Sequence, residues 1–260
     1  MKRAATPLLT ILSLLLASAC GPRGADDSVR PHDPSQAGAG VGAGAGAGAG
    51  GDSCRAGESK LDLPVIDWPA TLHSELELMM KESLAVLHYD CQGVRVLASC
   101  RVDATYAFSP MTRAEGSLHL TSGDEISTSL PVYGHSLTTK LDRELQRGAS
   151  LDVATVTVGK MATTRTSLRR SELKGDCTGA THFVPVATVG AFVMETGTRE
   201  RVRTVAEIMG AGVQASSSSS ASLKSHGGDI NECAKATADA QKPPAQCRAL
   251  VRVELRRIGD

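Results

Sequence analysis

The sequence predicts an α+β fold, with an antiparallel or mixed sheet, a few flanking helices, disulfide staples and a preceding flexible tether. One observation is the alternation of apolar and polar residues in LDVATVTV, residues 151–158, which is typical of a strand. Another is ALVRVEL, residues 249–255, a late strand after a long loop, which usually pairs into an existing sheet. Apolar residues elsewhere repeat at helical spacing, so the class is mixed.

The elements follow in chain order. A first helix starts at Asp67-Trp68-Pro69, with Asp67 as its N-cap and Pro69 in the first turn. Its apolar face consists of Leu72, Leu76, Met79, Met80 and Leu87. A second helix carries Leu137, Leu141 and Leu145 and ends at Gly148. Further strands are predicted at 92–101, 105–108 and 181–193, a helix or strand at 202–209, and a flexible loop at 216–220.

The chain begins with the pattern of a secretory signal. Lys2 and Arg3 precede an uncharged, mostly apolar run at 8–19, which ends in the small residues Ala17-Ser18-Ala19. A membrane-spanning helix needs about 20 apolar residues, so this run is too short to be one. We therefore expect residues 1–19 to be removed on export. Loss of Lys2 and Arg3 from the 28 basic residues leaves 26 against 28 acidic residues, a net charge of −2.

Residues 20–58 are predicted to form a linker, and residues 59–260 a single α+β envelope domain. The linker contains GAGVGAGAGAGAGG, which cannot bury a core and should span roughly 35 Å as a flexible coil. The domain has one Trp, three Tyr and three Phe, so its core must consist of Val, Leu, Ala and Met. Recognition by stacked aromatic side chains is therefore not expected.

Six cysteines follow Cys20, and an even number in an oxidising compartment predicts disulfides. Cys233 and Cys247 would close a short loop around Pro243-Pro244, and Cys91 and Cys100 could staple a hairpin, which leaves Cys54 and Cys177. Other pairings stay open, because six cysteines allow 15 connectivities. No CxxC or tight Cys/His spacing is present, so no metal site is predicted.

The motifs of the common enzyme classes are missing from the sequence. The nearest string to GxSxG, residues 133–137, lacks the second glycine, and there is no HExxH, P-loop or GxGxxG after a strand. We therefore predict no catalytic residue, no cofactor and, without a basic patch, no nucleic-acid partner. An unrecognised hydrolase stays open, because catalytic triads form in space and not in sequence.

The most apolar run after the leader is GATHFVPVATVGAF, residues 179–192. Pro185 cannot donate a ladder hydrogen bond, so the strand there is either an edge or carries a bulge. His182 follows Thr181, and we interpret it as a core histidine bonded to the backbone or to threonine. The alternative is a functional histidine facing a cleft.

The residues around the predicted cleavage point resemble the lipobox of bacterial lipoproteins. Small residues lead directly into Cys20, although Ala17 stands where the family usually has leucine. The resemblance implies that Cys20 is acylated, for example with palmitate, and becomes the first residue of the mature chain. Gly21 after it favours the outer membrane, with the domain in the periplasm or at the cell surface. The alternative is an ordinary signal peptide with an incidental cysteine.

Several stretches are similar to uncharacterised myxobacterial-type envelope lipoproteins. They are YDCQGVRVLASCRV, LKGDCTGATHFVPVATVGAFVM, IMGAG, PPAQC and VRVELRRI. The resemblance implies an envelope address and no particular activity. The function predicted first is therefore a lipid-anchored protein with a non-catalytic binding or scaffolding role, with the membrane and an envelope protein as partners and an unknown ligand.

Thr181-His182-Phe183, six further residues and Gly190 are similar to the signature of perforin-like (MACPF) proteins. Ala180 and Ala191 depart from that signature. The resemblance implies a bent central sheet in which Gly190 permits a hinge, and the alternative function is a membrane-acting domain. A pore is not expected, because residues 111–150 alternate only at Leu118 and Leu120. In addition, residues 197–249 carry Pro243-Pro244 and a predicted disulfide.

Overall fold

The computed structural model describes residues 58–90, 92–214 and 223–260. The predicted leader, Cys20, the linker, Cys54, Cys91 and the serine-rich loop at 216–220 lie outside these residues. Among the described helices, none combines the length and the apolar character needed to cross a bilayer.

The described chain folds into ten strands and five α-helices. The strands are β1 (Lys60–Pro64), β2 (Val86–Asp90), β3 (Gly93–Val96), β4 (Cys100–Arg101), β5 (Ala107–Leu120), β6 (Ala149–Ala162), β7 (Lys174–Gly175), β8 (His182–Thr198), β9 (Leu223–Gly227) and β10 (Ala249–Arg257). The helices are α1 (Ala70–Glu82), α2 (Gly123–Ser129), α3 (Gly134–Gln146), α4 (Val205–Gln214) and α5 (Ile230–Cys233), with a 3-10 turn at Arg170–Glu172. All pairings between these strands are antiparallel, which confirms the predicted α+β class.

The 17-residue strand β8 is the centre of an eight-stranded sheet. It pairs with β6 over most of its length, and with β10, β9 and β2 over shorter stretches. β5 pairs with β6, so β5, β6, β8 and β9 form an antiparallel meander. α2 and α3 lie in the connection between β5 and β6, and α4 lies in the connection between β8 and β9.

The helices of these two connections cover opposite faces of the meander, because successive residues of a strand point to opposite sides. Apolar residues of α2 and α3 join one buried cluster with alternate residues of β6 and β8. This cluster includes Ile126, Leu130, Leu141, Leu145, Leu151, Val153, Phe192 and Met194. α4 packs on the other face, where the cluster includes Ala154, Val156, Val158, Ala191, Ile208 and Met209.

The start of α1 differs from the prediction. Its N-cap is Pro69, without a side-chain capping bond, and Asp67 is not the cap. The Asp67 carboxylate instead accepts the backbone N–H of Tyr133 at 3.0 Å, in the turn between α2 and α3. Leu87, predicted on the apolar face of this helix, lies in β2. The end of α3 agrees with the prediction, since Gly148 follows it at φ 86°.

The strands differ from the prediction mainly in length. β5 covers 14 residues where four were predicted, because most of its residues are exposed and leave no alternating apolar pattern. Residues 92–101 divide into β3 and β4. Residues 202–209, predicted as helix or strand, lead into α4. Pro185 lies in the central strand and not at an edge, and the β8–β10 register shifts beside it, which confirms the predicted bulge.

Candidate functional site on the central sheet

Thr181 and His182 lie where the chain enters β8. The His182 side chain is 1% exposed, and its Nδ1 lies 2.9 Å from Thr181 Oγ1. Its ring packs edge-on against Tyr89, with 5.5 Å between the ring centroids. Burial lowers the pKa of His182, and the positive charge of Arg257 acts in the same direction. The structure therefore places this imidazole within the core, in contact with the neighbouring threonine.

Gly190 lies where irregularities in several strands meet at one level of the sheet. The pairing of β6 with β8 shifts at Val158, and the pairing of β10 with β8 shifts at Val251. The pairing of β5 with β6 shifts between Pro110 and Ala114, at the same level. Bulges bend strands and increase their local twist, so the meander has its point of greatest irregularity at Gly190.

Position 190 also requires glycine because the backbone of β6 approaches it closely. A Cβ atom at this position would lie 1.8 Å from the carbonyl oxygen of Val156 on β6. Any other residue would force the two strands apart, because such a contact is far inside van der Waals distance. The adjacent Ala191, which stands where the perforin-like signature has its second glycine, is 2% exposed and packs in the α4 cluster.

Two disulfides fix the chain around this sheet. Cys233–Cys247 closes the loop that follows β9, as predicted. Cys100 is bonded to Cys177, so the predicted Cys91–Cys100 staple is wrong. The reason is tertiary: β4 and β7 form a two-stranded sheet in which Cys100 pairs with Gly175, and this brings a distant part of the chain beside Cys100. Sequence spacing gave no indication of that contact.

A row of charged residues crosses the meander at one register position. His119, Asp152 and Glu195 are cross-strand neighbours on β5, β6 and β8. Asp152 and Glu195 are each 1% exposed. His119 Nδ1 lies 2.6 Å from Asp152 Oδ1, and Ser150 Oγ donates to the same oxygen at 3.1 Å. We call His119, Ser150, Asp152, Glu195 and Arg203 the charge row.

Arg203 supplies the positive charge for both carboxylates. It lies two residues before α4, its Nε donates to Asp152 Oδ2 at 2.8 Å, and its Nη1 donates to Glu195. Burial works against the charged form of Arg203, but its bonds to the two carboxylates outweigh burial and raise its pKa. Burial also raises the pKa of Glu195, and Arg203 offsets only part of this effect. The charge row thus fastens the start of the β8–β9 connection to the sheet.

The charge row combines the residue types of a hydrolase triad without the geometry of one. A triad needs the serine bonded to the histidine, so that the imidazole can take the hydroxyl proton. Here Ser150 bonds to Asp152, and His119 Nε2 lies 3.3 Å from the carbonyl oxygen of Arg199. Ser150 is also fully buried. In this arrangement the residues hold one another and present no nucleophile.

No protein-family model matches this sequence. A search of curated proteins finds no match either. Among solved structures, the stonustoxin structure is similar to this chain at 14% sequence identity. The match covers 76% of this chain and 32% of that chain, with a TM-score of 0.31. This chain therefore spans about a third of the length of that protein, and a likeness at this score carries no argument about function.

Sequence reasoning missed the charge row, although a signal was present. Asp152 and Glu195 lie on strands whose other residues on the same face are apolar, such as Ala154, Val156 and Val193. A charged residue on the buried face of a strand needs a partner, so the two carboxylates predict a buried cation. Which cation supplies it could not be predicted, because Arg203 comes from an irregular segment outside any strand.

Proposed function

We propose that this chain is a perforin-like domain that acts on membranes by converting the segment between β5 and β6 into a β-hairpin. The observation that carries the proposal is the placement of α2 and α3 between two strands that already pair antiparallel along their length. Extending β5 and β6 through this segment would continue an existing ladder. Pore formation by a perforin-like domain needs segments that become amphipathic membrane hairpins.

The segment has part of the residue pattern that a membrane hairpin needs, with seven alternating residues, 126–132, in the first arm and nine, 137–145, in the second. Each spanning strand requires about 9–11 residues that alternate between lipid and water. In the first arm Ile126, Thr128, Leu130 and Val132 alternate with polar residues and Pro131. In the second arm Leu137, Thr139, Leu141 and Leu145 alternate with Thr138, Lys140, Asp142 and Glu144, with Arg143 as the one charge on the apolar side. The turn would lie near Gly134.

Two observations weigh against the expectation that no pore forms. The alternation reverses its phase near Tyr133, so it is hidden when residues 111–150 are read in a single frame. The Cys233–Cys247 loop with Pro243-Pro244 follows β9, so it lies outside the connection between β8 and β9. It therefore does not restrain that connection.

A disulfide between α2 and α3 tests the proposal. A Cβ atom at Gly123 would lie 3.8 Å from the Cβ of Thr138, within the range that a disulfide spans. In a hairpin with its turn near Gly134 these two positions move apart. We expect the mature wild type to release dye from vesicles of phosphatidylethanolamine and phosphatidylglycerol. Oxidised Gly123→Cys/Thr138→Cys should leave leakage at the level of vesicles alone, and reduction should restore it.

Three controls accompany this experiment. The single variant Thr138→Cys carries an added thiol without the cross-link and should leak like wild type. Wild type treated with the same reductant measures any effect of opening Cys100–Cys177 and Cys233–Cys247. Full leakage from the oxidised double variant would rule out a hairpin from this segment, and no leakage from wild type would remove the membrane-acting function.

A second candidate function is the lipid-anchored, non-catalytic binding or scaffolding role. It is favoured by the lipobox-like residues before Cys20. Acyl chains contribute about 0.8 kcal/mol per buried CH2, so more than one chain would anchor the protein stably at the outer membrane. The anchor is compatible with either function, whereas leakage separates the two.

The anchor has its own test. We expect cells fed a radiolabelled fatty acid to label the wild-type protein and to leave Cys20→Ala unlabelled, because the thiol is the acylation site. Cys54→Ala is the matched control, since it removes a cysteine that is not at the cleavage point, and it should label like wild type. Equal labelling of wild type and Cys20→Ala would remove the anchor from the proposal.

A further inference from the structure

A cleft of about 700 Å³ lies away from the charge row, between α1, the paired ends of β5 and β6, and the loop closed by Cys233–Cys247. Its volume is within the range of small-molecule sites in proteins, roughly 300–1,000 Å³. The residues of the disulfide loop that line it are 239–243. Because the disulfide fixes this loop, one wall of the cleft is held in place covalently.

The floor of the cleft is apolar. It is formed by Met80 of α1, Phe108 of β5, Met161 of β6 and Leu250 of β10. Tyr106 also lines the cleft. Its hydroxyl donates to the carbonyl of Val184 at 2.6 Å and accepts from the backbone N–H of Ala85, and these bonds hold the ring in place. Methionine side chains adapt to irregular shapes, so a floor with two of them suits a flexible hydrocarbon chain.

The mouth of the cleft carries three cations and two carboxylates. The cations are Lys81, Lys242 and Arg248, and the carboxylates are Glu77 and Asp239. Among the described residues, none of the three cations lies within ion-pair distance of a carboxylate. Burial raises the pKa of Glu77, whereas Lys81 and Arg248 lower it. The mouth is therefore net positive above an apolar floor.

We infer that this cleft is a binding site for a single-chain amphipath with an anionic head, such as a long-chain fatty acid. The acyl chain would lie on Met80, Phe108, Met161 and Leu250, and the head would meet Lys81, Lys242 and Arg248 at the mouth. The same chemistry is available from the acyl chain of an anionic phospholipid in a membrane. This site is independent of the proposed hairpin, because none of its lining residues belongs to α2 or α3.

Calorimetric titration tests the site. The protein used is the chain carrying Cys20→Ala, so that no covalent acyl group competes. The ligands are myristate and myristyltrimethylammonium below their micelle concentrations. We expect saturable 1:1 binding of myristate and weaker binding of the cation. Arg248→Gln should weaken myristate binding about five-fold, because it removes one exposed charge interaction. Arg252→Gln, on β10 but paired with Asp62 away from the cleft, should leave it unchanged.

A second variant tests the floor. Met161→Trp places a larger side chain in the cleft and should abolish myristate binding while leaving thermal unfolding close to wild type. Arg248→Glu changes only an exposed residue, so it tests the charge even if Met161→Trp fails to fold, and it should remove the preference for myristate. No myristate binding, or equal affinity for the two head groups, would overturn the inference in its fatty-acid form.

Vesicles of phosphatidylglycerol distinguish the source of the acyl chain. Cosedimentation that is lost in Arg248→Glu and kept in Arg252→Gln, together with no binding of free myristate, would assign the site to membrane lipid. Cosedimentation that is equal in both variants would show that the cleft does not hold the lipid. Leakage by the proposed hairpin is a separate readout, so failure of one proposal leaves the other standing.

Discussion

Arg203→Met is expected to lower the free energy of unfolding by about 3 kcal/mol or more, because it leaves two buried carboxylates without their cation. Asp152 and Glu195 are cross-strand neighbours and each 1% exposed, so neither can recover its charge stabilisation from water. For a domain of this size the loss corresponds to a fall in Tm of roughly 6–12 °C. Thermal unfolding followed by circular dichroism measures it. Hydrogen exchange should rise most at the end of β8 and in α4.

Two comparisons show whether charge is the cause. Arg201→Met removes an exposed arginine that pairs with Glu207, and we expect a change within about 0.5 kcal/mol. Adding Glu195→Gln to Arg203→Met should restore part of the lost stability, because one buried charge is then removed. If Arg203→Met costs no more than Arg201→Met, the charge row does not fasten the β8–β9 connection.

Asp67→Asn is expected to stabilise the protein at pH 7 and to have almost no effect at pH 4. Burial raises the pKa of Asp67 from 3.8 to about 6, and the backbone N–H of Tyr133 offsets only part of this. Because the folded state holds this proton more tightly than the unfolded state, stability is gained as pH falls through 6 and lost as pH rises through it. A shift of this size corresponds to about 3 kcal/mol.

Denaturant unfolding at pH 4, 5, 6 and 7 measures this dependence. Between pH 4 and 7 the stability of wild type should fall by about 3 kcal/mol relative to that of Asp67→Asn. Asparagine keeps an oxygen that can accept the Tyr133 N–H, so the bond itself survives the substitution. Asp62→Asn alters an exposed carboxylate and serves as the control. Parallel pH profiles for wild type and Asp67→Asn would contradict the prediction.

The sequence predicted the elements whose pattern is local. The alternating runs at 151–158 and 249–255 became β6 and β10, and the leucine spacing with Gly148 became α3. β5 was predicted only at its start, because an exposed strand has no apolar face to give a pattern. Asp67 was misassigned as a cap, since its real partner, Tyr133, is distant in sequence and is brought near only by folding.

The candidate site was predictable only in part. Gly190 was singled out from a short motif, and the structure gives it a physical role through the close approach of Val156. The charge row and the Cys100–Cys177 bond depend on which strands become neighbours, and no local spacing carries that information. The cleft lies between α1, one end of the β5–β6 pair and a disulfide loop, so its existence follows from tertiary packing alone.

The Cys100–Cys177 bond closes a covalent ring around β5, α2, α3 and β6, since the two cysteines are 77 residues apart in sequence. In the proposed function the helices within that ring would convert to strand, while the disulfide keeps the two ends of the ring joined. Closing a ring of this length removes about 4 kcal/mol of freedom from the unfolded chain. Such a cross-link would let one segment of the protein rearrange while the rest of the fold stays in place.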